Sequence, residues 1–418
     1  MISRHFRLAG NARSVTGVTL TAAAPPTTRP RLDGPRVAVA AAAGMAAAMG
    51  VGRFVFTPLL PIMSAATGLS AGDGALIATG NYAGYLVGAV LLTRRPHWNR
   101  RATFLAWSVV LIVSEALMAV SAQVAAQTAL RFAAGVASAA IFVACAATVA
   151  HHRREGASIG VAFAGVGVGI AVTGVFTVLA GNWLSWQALW VGSAVLTAVL
   201  LAPAWLLDIR DEGHAAAVAP TPRNPDLRRA WRLLLSAYFA EGLGYIVLGT
   251  FLVAAVADDT GGDSVTAAWL WALVGVSAVP ATVLWHAVAR RIGTGRALVA
   301  ALVVQSAGTL APVLSDSLLA AVAAAVTFGA TFMAVVMLAV EAGSQLGIPR
   351  SAATLTAVFA VGQVLGPLLV LPVIGDSYAV AFGIAAGVVA VSALLAAAAT
   401  GAMRSALARP AVVGADLK

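Results

Sequence analysis

The chain has 418 residues, of which 60% are hydrophobic and only 10% charged. Soluble domains carry about 25% charged residues, so this composition excludes an ordinary globular protein and points to the bilayer. The net charge of +10 is explained below by loop topology, which removes nucleic acid as a partner.

Residues 1–35 are polar and rich in Arg, Thr and Pro, with no apolar run of signal-peptide type. They read as a disordered cytosolic tail. Apolar runs follow at 37–66, 73–93, 102–121, 124–150, 157–179 and 187–206, each long enough to cross about 30 Å of hydrocarbon. A polar stretch at 208–230, with Asp208, Arg210, Asp211, Glu212, Pro220, Pro222 and Pro225, reads as a cytosolic linker. Six more runs come at 233–256, 265–288, 297–314, 317–340, 352–372 and 379–400, and a second cytosolic tail covers 401–418. The predicted fold is all-α and integral to the membrane, with twelve transmembrane helices in two six-helix halves, 36–207 and 231–400.

Odd-numbered connections hold Asp73, Asp258, Asp259, Asp263, Asp316 and Asp376 but no Lys or Arg. Even-numbered connections and both tails hold Arg94, Arg95, Arg100, Arg101, Arg153, Arg154, Arg290, Arg291 and others. The positive-inside rule therefore puts both termini in the cytoplasm of a multi-pass cell-membrane protein. Trp183, Trp186 and Trp190 are expected as an aromatic anchor at the outer interface. The lone lysine, Lys418, excludes a P-loop ATPase, and the lone Cys145 excludes disulfides and Cys-based zinc sites. Neither a metal nor a cofactor is expected. His151-His152 reads as a basic turn rather than a ligand pair.

The halves share traces of a repeat. Met49-Gly50-Val51-Gly52-Arg53-Phe54-Val55 aligns with Glu241-Gly242-Leu243-Gly244-Tyr245-Ile246-Val247, 192 residues on. Arg94, Arg95 and Arg100 likewise align with Arg290, Arg291 and Arg296. Six-span repeats of equal orientation imply an axis along the membrane normal and a substrate site between the halves.

These residues also carry a family resemblance. Gly52-Arg53-Phe54-Val55-Phe56-Thr57-Pro58-Leu59-Leu60-Pro61, Asn81-Tyr82-Ala83-Gly84-Tyr85, Tyr238-Phe239-Ala240-Glu241-Gly242 and Gly362-Gln363-Val364-Leu365-Gly366-Pro367 resemble the YbfB/YjiJ-type branch of the major facilitator superfamily. The resemblance covers about 37–400. It implies a secondary transporter, and Arg131-Phe132-Ala133-Ala134-Gly135 resembles the superfamily's span-four signature linked to proton coupling. The usual acidic residue in the loop after span two is missing, and span five lacks a Gly-Pro step.

Arg53 lies mid-span, where an Arg costs about 2.5–3.5 kcal/mol, so it is expected to face protein or a wet cavity. Gly50, Gly52 and Pro58 beside it loosen the helix and make it a gating segment. Asn81, Tyr82, Tyr85, Tyr245 and Gln363 complete the expected substrate site, with Tyr82 and Tyr85 on one helix face. Glu241, Arg131 and Glu115 are the remaining intramembrane charges and the proton-coupling candidates, although Glu115 lies in a scaffold span of the resembled fold and reads more readily as structural. Glu241 is expected to pair with Arg53 across the cavity and to release it on protonation. Arg95 and Arg291 are expected to latch the cytosolic side on carboxylates such as Glu155 and Glu341, and Gly366 and Pro367 to hinge span eleven.

The predicted function is proton-coupled transport of a small solute by alternating access, as a monomer. A non-transporting sensor of transporter descent is the alternative. An intramembrane enzyme is disfavoured, since no Gly-x-Ser-x-Gly occurs and the spans hold only His286.

Overall fold

Every apolar run becomes one helix in the computed structural model, which describes residues 32–95, 98, 100–209, 225–261, 263–348 and 351–408. In the first half these are α1 (Gly34–Thr67), α2 (Ala71–Arg94), α3 (Arg101–Leu117), α4 (Val124–His151), α5 (Ile159–Ala180) and α6 (Trp186–Ala204). In the second they are α7 (Pro225–Asp259), α8 (Ser264–Ile292), α9 (Thr294–Leu314), α10 (Leu318–Gln345), α11 (Ser351–Ile374) and α12 (Tyr378–Ala408). Eleven are long and apolar enough to cross a membrane; α3, with 17 residues, is the short twelfth.

Helix boundaries follow capping chemistry. Ser70 and Asp73 form a reciprocal capping box at the start of α2, and Gly68, at φ 74°, ends α1 in the left-handed conformation. Asp263 caps α8 by accepting from Val265 N and Thr266 N. Two of the expected outer-loop aspartates thus start corresponding helices of the two halves. Some boundaries move. The helix at Pro225 takes the last six residues of the expected linker, because Pro is at ease in a first turn. The final helix runs on to Ala408, past the expected tail boundary at 400. Residues 1–31 and 409–418 lie outside the described residues.

Parity of the connections is visible directly. Asp258, Asp259, Asp316 and Asp376 line one cavity of about 290 Å³, so three odd-numbered connections share one end of the bundle. Helices touch through small residues, as dispersion rather than water drives their association in lipid. Gly50 meets Gly169 where α1 crosses α5, and Gly135 meets Asn81 where α4 crosses α2. Four of the five glycines of α5 (Gly165, Gly167, Gly169 and Gly174) sit against neighbouring backbone or Cβ atoms, whereas Gly160 has room.

The halves meet along α5–α8, α2–α11 and α1–α7. The first two pairs exchange under the repeat, as a two-fold axis along the normal requires. Thr57 Oγ1 donates to Gly249 O at 3.0 Å across α1–α7. These two positions align in the repeat, so the axis passes beside this bond.

The tryptophan expectation fails in part. Trp183 is exposed, but Trp190 is fully buried, and its Nε1 donates to Met63 Sδ. It faces the interior because its ring lies over the Arg131 guanidinium, 5.9 Å away.

Candidate functional site

The site is built on a fault in α1. Residues Ala46–Val51 form a π-turn, with Gly52 N donating to Ala47 O five residues back. Regular α-helix resumes only at Phe56. Pro58 has no N–H for the Phe54 carbonyl, and Thr57 N turns to Phe54 O at 3.2 Å instead of Arg53 O. The Arg53 carbonyl is left without its helical donor. In a membrane interior such a group must be satisfied by protein.

Arg131, from α4, does this. Its Nη1 donates to Gly52 O at 2.8 Å and its Nη2 to Arg53 O at 2.5 Å. Asn81 Nδ2 adds bonds to Gly52 O at 3.4 Å and Arg131 O at 3.1 Å, linking α1, α2 and α4. The Arg131 guanidinium is also held between the rings of Phe56 and Trp190. It serves here as a brace for broken backbone.

Arg53 itself is in a different situation. Its side chain is 2% exposed, and its guanidinium lies 5.0 Å from the Tyr82 ring, 4.7 Å from Tyr85 and 5.5 Å from Phe54. Its Nε and Nη2 have no hydrogen-bond partner, and no ion pair reaches it among the described residues. Cation–π contacts of this kind return about 0.5–2 kcal/mol each. They hold the cation without neutralising it.

Tyr82 reaches across to the second half. The Thr250 hydroxyl gives its hydrogen to Ile246 O, so in the 2.8 Å contact Tyr82 Oη donates to Thr250. Beyond these bonds, between α1, α7 and neighbouring helix ends, a cavity of about 710 Å³ opens at the aspartate end, lined in part by Leu60, Pro61 and Tyr378. The Thr57–Gly249 and Tyr82–Thr250 bonds therefore form a floor between that vestibule and Arg53. Opposite Arg53, Gln363 Nε2 donates to Tyr245 Oη. The Tyr245 ring lies nearly parallel to Phe332 (6°), Phe328 (15°) and Phe359 (16°).

Glu241 is not brought to Arg53. Its Oε1 accepts from Gln305 Nε2 at 2.8 Å, inside the second half, while Oε2 has no partner. The expected Arg53–Glu241 pair is absent from this conformation because the two side chains leave their helices toward different neighbours. Glu115 is buried in the first half beside the Thr197 hydroxyl, and neither of its oxygens makes a hydrogen bond of full geometry. Antiparallel register sets it level with Arg131: Gln127 of α4 bonds the Met118 carbonyl, and both Leu111 and Ser138 border Gly52.

The gating candidates divide. Gly50 and Gly52 are pressed against Gly169 and against Leu111 and Ser138, and Gly366 against Leu243 and Ile246. Pro367 lies within an uninterrupted α11. Arg95 is exposed beside the Trp98 ring and Arg291 is exposed; neither is paired with Glu155 or Glu341. Glu341 instead accepts from Thr294. Gln305, Thr250, Phe328 and Phe332 join the site's surroundings without having been singled out in sequence, and Trp190 joins them from the expected interfacial anchor. Gln305 is the only amide side chain in α9, which is the one signal that could have marked it.

Residues 45–400 match the profile of a family described as "Uncharacterised MFS-type transporter YbfB". Comparison with curated protein sequences finds no match. Among solved structures, the chain is similar to a mutant of the nucleoside transporter NupG. The TM-score is 0.66 at 13% identity, covering 87% of this chain and 99% of that one. At such identity the likeness bears on the fold alone.

Proposed function

The chain belongs to the YbfB-type family of major facilitator transporters, and on that premise we propose that it moves a small solute across the cell membrane by proton-coupled alternating access. The observation that carries this reading is the break in α1, which leaves Arg53 buried and unpaired between the halves. Interrupted helices near the bilayer midplane recur as substrate sites in secondary transporters. Substrate contacts come from Arg53, Tyr82, Tyr85, Tyr245 and Gln363, while Asn81 and Arg131 keep the broken backbone in shape. The work is transport rather than catalysis, by one chain whose two halves complete the site.

Proton coupling falls to Glu241 and Glu115, buried carboxyl groups with free oxygens. Glu241 is one helical turn from Tyr245, so its charge acts on the substrate wall through α7. Glu115 stands level with the brace of the α1 break. Both termini are cytoplasmic, with the aspartate end outside.

Reconstituted protein should exchange solutes from a small-metabolite extract, read by mass spectrometry, and accumulate one under an imposed pH gradient. Glu241→Gln should keep exchange and lose accumulation; accumulation that persists would move the coupling to Glu115 and Arg131. Exchange of no solute would refute the transport reading. A cysteine replacing Ser264 in a Cys145→Ala background should react with an impermeant thiol reagent in intact cells. Reaction only after lysis would invert the topology.

A further inference from the structure

We infer that the solute is an organic anion with a flat, unsaturated body, of which aryl carboxylates are the simplest class. This rests on the transporter reading and names its substrate chemistry.

The charge comes from Arg53. Two guanidinium nitrogens face no acceptor in a region where the neighbouring Arg131 places both terminal nitrogens on carbonyls. A buried cation with free donors calls for an anion, and the planar guanidinium fork fits a carboxylate through two parallel bonds. A cationic solute would be repelled. A neutral polyol could donate to the unpartnered Asn81 Oδ1 and Gln363 Oε1, but it would leave the Arg53 charge unneutralised, and the nearby donors are already engaged. Asn81 Nδ2 is committed to backbone carbonyls and Tyr82 donates to Thr250. Gln363 contributes its Nε2 to Tyr245.

The body is read from the second half. Tyr245 stacks with Phe359 at 5.1 Å, Phe328 at 6.0 Å and Phe332 at 6.4 Å. Phe328 and Phe332 are themselves within 9° of parallel. This wall is continuous with the Arg53 cage, because Phe54, under the cation, packs edge-on against Phe332 at 6.2 Å. One end of this aromatic cluster thus carries an unpaired cation, and the rest is a set of near-parallel rings packed on one another in this closed conformation. A planar ring joins such a stack where a puckered ring does not. The floor bonds from Thr57 and Tyr82 enclose the region in this conformation, so entry requires the halves to part.

The test uses the purified full-length protein, with binding followed by thermal shift and by tryptophan fluorescence. The probes are benzoate, 4-hydroxybenzoate and phenylacetate. Their controls are benzamide (flat, neutral), cyclohexanecarboxylate (charged, puckered) and benzyltrimethylammonium (flat, cationic). At least one aryl carboxylate should bind, benzamide about a hundredfold more weakly and cyclohexanecarboxylate about three- to tenfold more weakly. The cationic probe should not bind. Arg53→Gln should abolish carboxylate binding and Arg53→Lys should restore part of it, while Arg290→Gln should change nothing. Benzamide matching benzoate, or failure of every aryl carboxylate to bind, would overturn the inference. That comparison of ligands on the native protein stands even if Arg53→Gln does not fold. Exchange of some other solute with no aryl carboxylate bound would leave transport standing and sink the substrate class. Arg53-dependent binding with no exchange would do the reverse.

Discussion

The first and seventh helices carry the same Gly-x-Gly sequence 192 residues apart, yet one is broken and the other is not. α1 passes through a π-turn and four non-helical residues, whereas α7 runs unbroken from Pro225 to Asp259. The difference lies in the neighbours. Positions corresponding to Arg131 fall within 323–327, which hold only Ala, Val and Thr, and those corresponding to Asn81 fall within 273–277, with Leu, Val, Gly and Ser. Pro58 and Pro61 correspond to Thr250 and Val253. Glycine permits a break, proline favours it, and only a polar neighbour makes it stable in lipid.

Removing the brace is the strongest way to break this comparison. Arg131→Leu deletes two charge-assisted bonds and should cost about 3–6 kcal/mol, read from thermal or denaturant unfolding in detergent. Thr327→Val, at a corresponding place in α10, should stay within about 1 kcal/mol. Equal losses at both positions would erase the distinction between the halves.

The glycines should behave alike in both halves. A Cβ at Gly50 meets the Gly169 backbone, and one at Gly242 meets the Phe359 carbonyl. Gly50→Ala and Gly242→Ala should therefore each cost about 1–3 kcal/mol through overpacking. A much larger loss at Gly50 would mean that its role is conformational rather than steric.

Much of the architecture was legible because hydrophobic run length and loop charge are local quantities. The twelve helices followed from them, and the i, i+3 spacing of Tyr82 and Tyr85 put both rings on the face that meets Arg53. The brace was not legible. Arg131 contacts residues of a helix made long before it, and no periodicity states which neighbour a side chain will reach. Glu241 shows the same limit: its mid-helix depth was evident, but its turn toward Gln305 depends on how α9 packs. Trp190 looked interfacial from its place near a loop, yet its face of α6 points inward.

Smaller effects sharpen the contact between the two helices. Thr57→Val and Tyr82→Phe each remove one bond across the halves, worth about 0.5–1.5 kcal/mol. Labelling of a cysteine replacing Phe54, which lies beside Arg53 beyond the floor, in a Cys145→Ala background, should rise about two- to tenfold as the floor opens. Unchanged labelling would show that these bonds do not hold the closed form. The smallest expected change is Pro58→Ala. It restores one helical donor, about 0.5–1.5 kcal/mol, and loosens the unfolded chain by about 0.4–1 kcal/mol, leaving a net gain of about 0.3 kcal/mol. Solute exchange should nevertheless slow, because the break becomes optional.

The brace also sets an order of events during synthesis. Arg131 lies 79 and 78 residues beyond the two carbonyls it holds. At about 5–20 residues per second, the ribosome needs roughly 4–16 s to supply it after α1 has been made. Through that interval open carbonyls in lipid would cost several kcal/mol. The nascent first segment must therefore cross as a continuous helix or wait beside the translocon. Its break is a late step of biogenesis, completed when the α3–α4 hairpin docks.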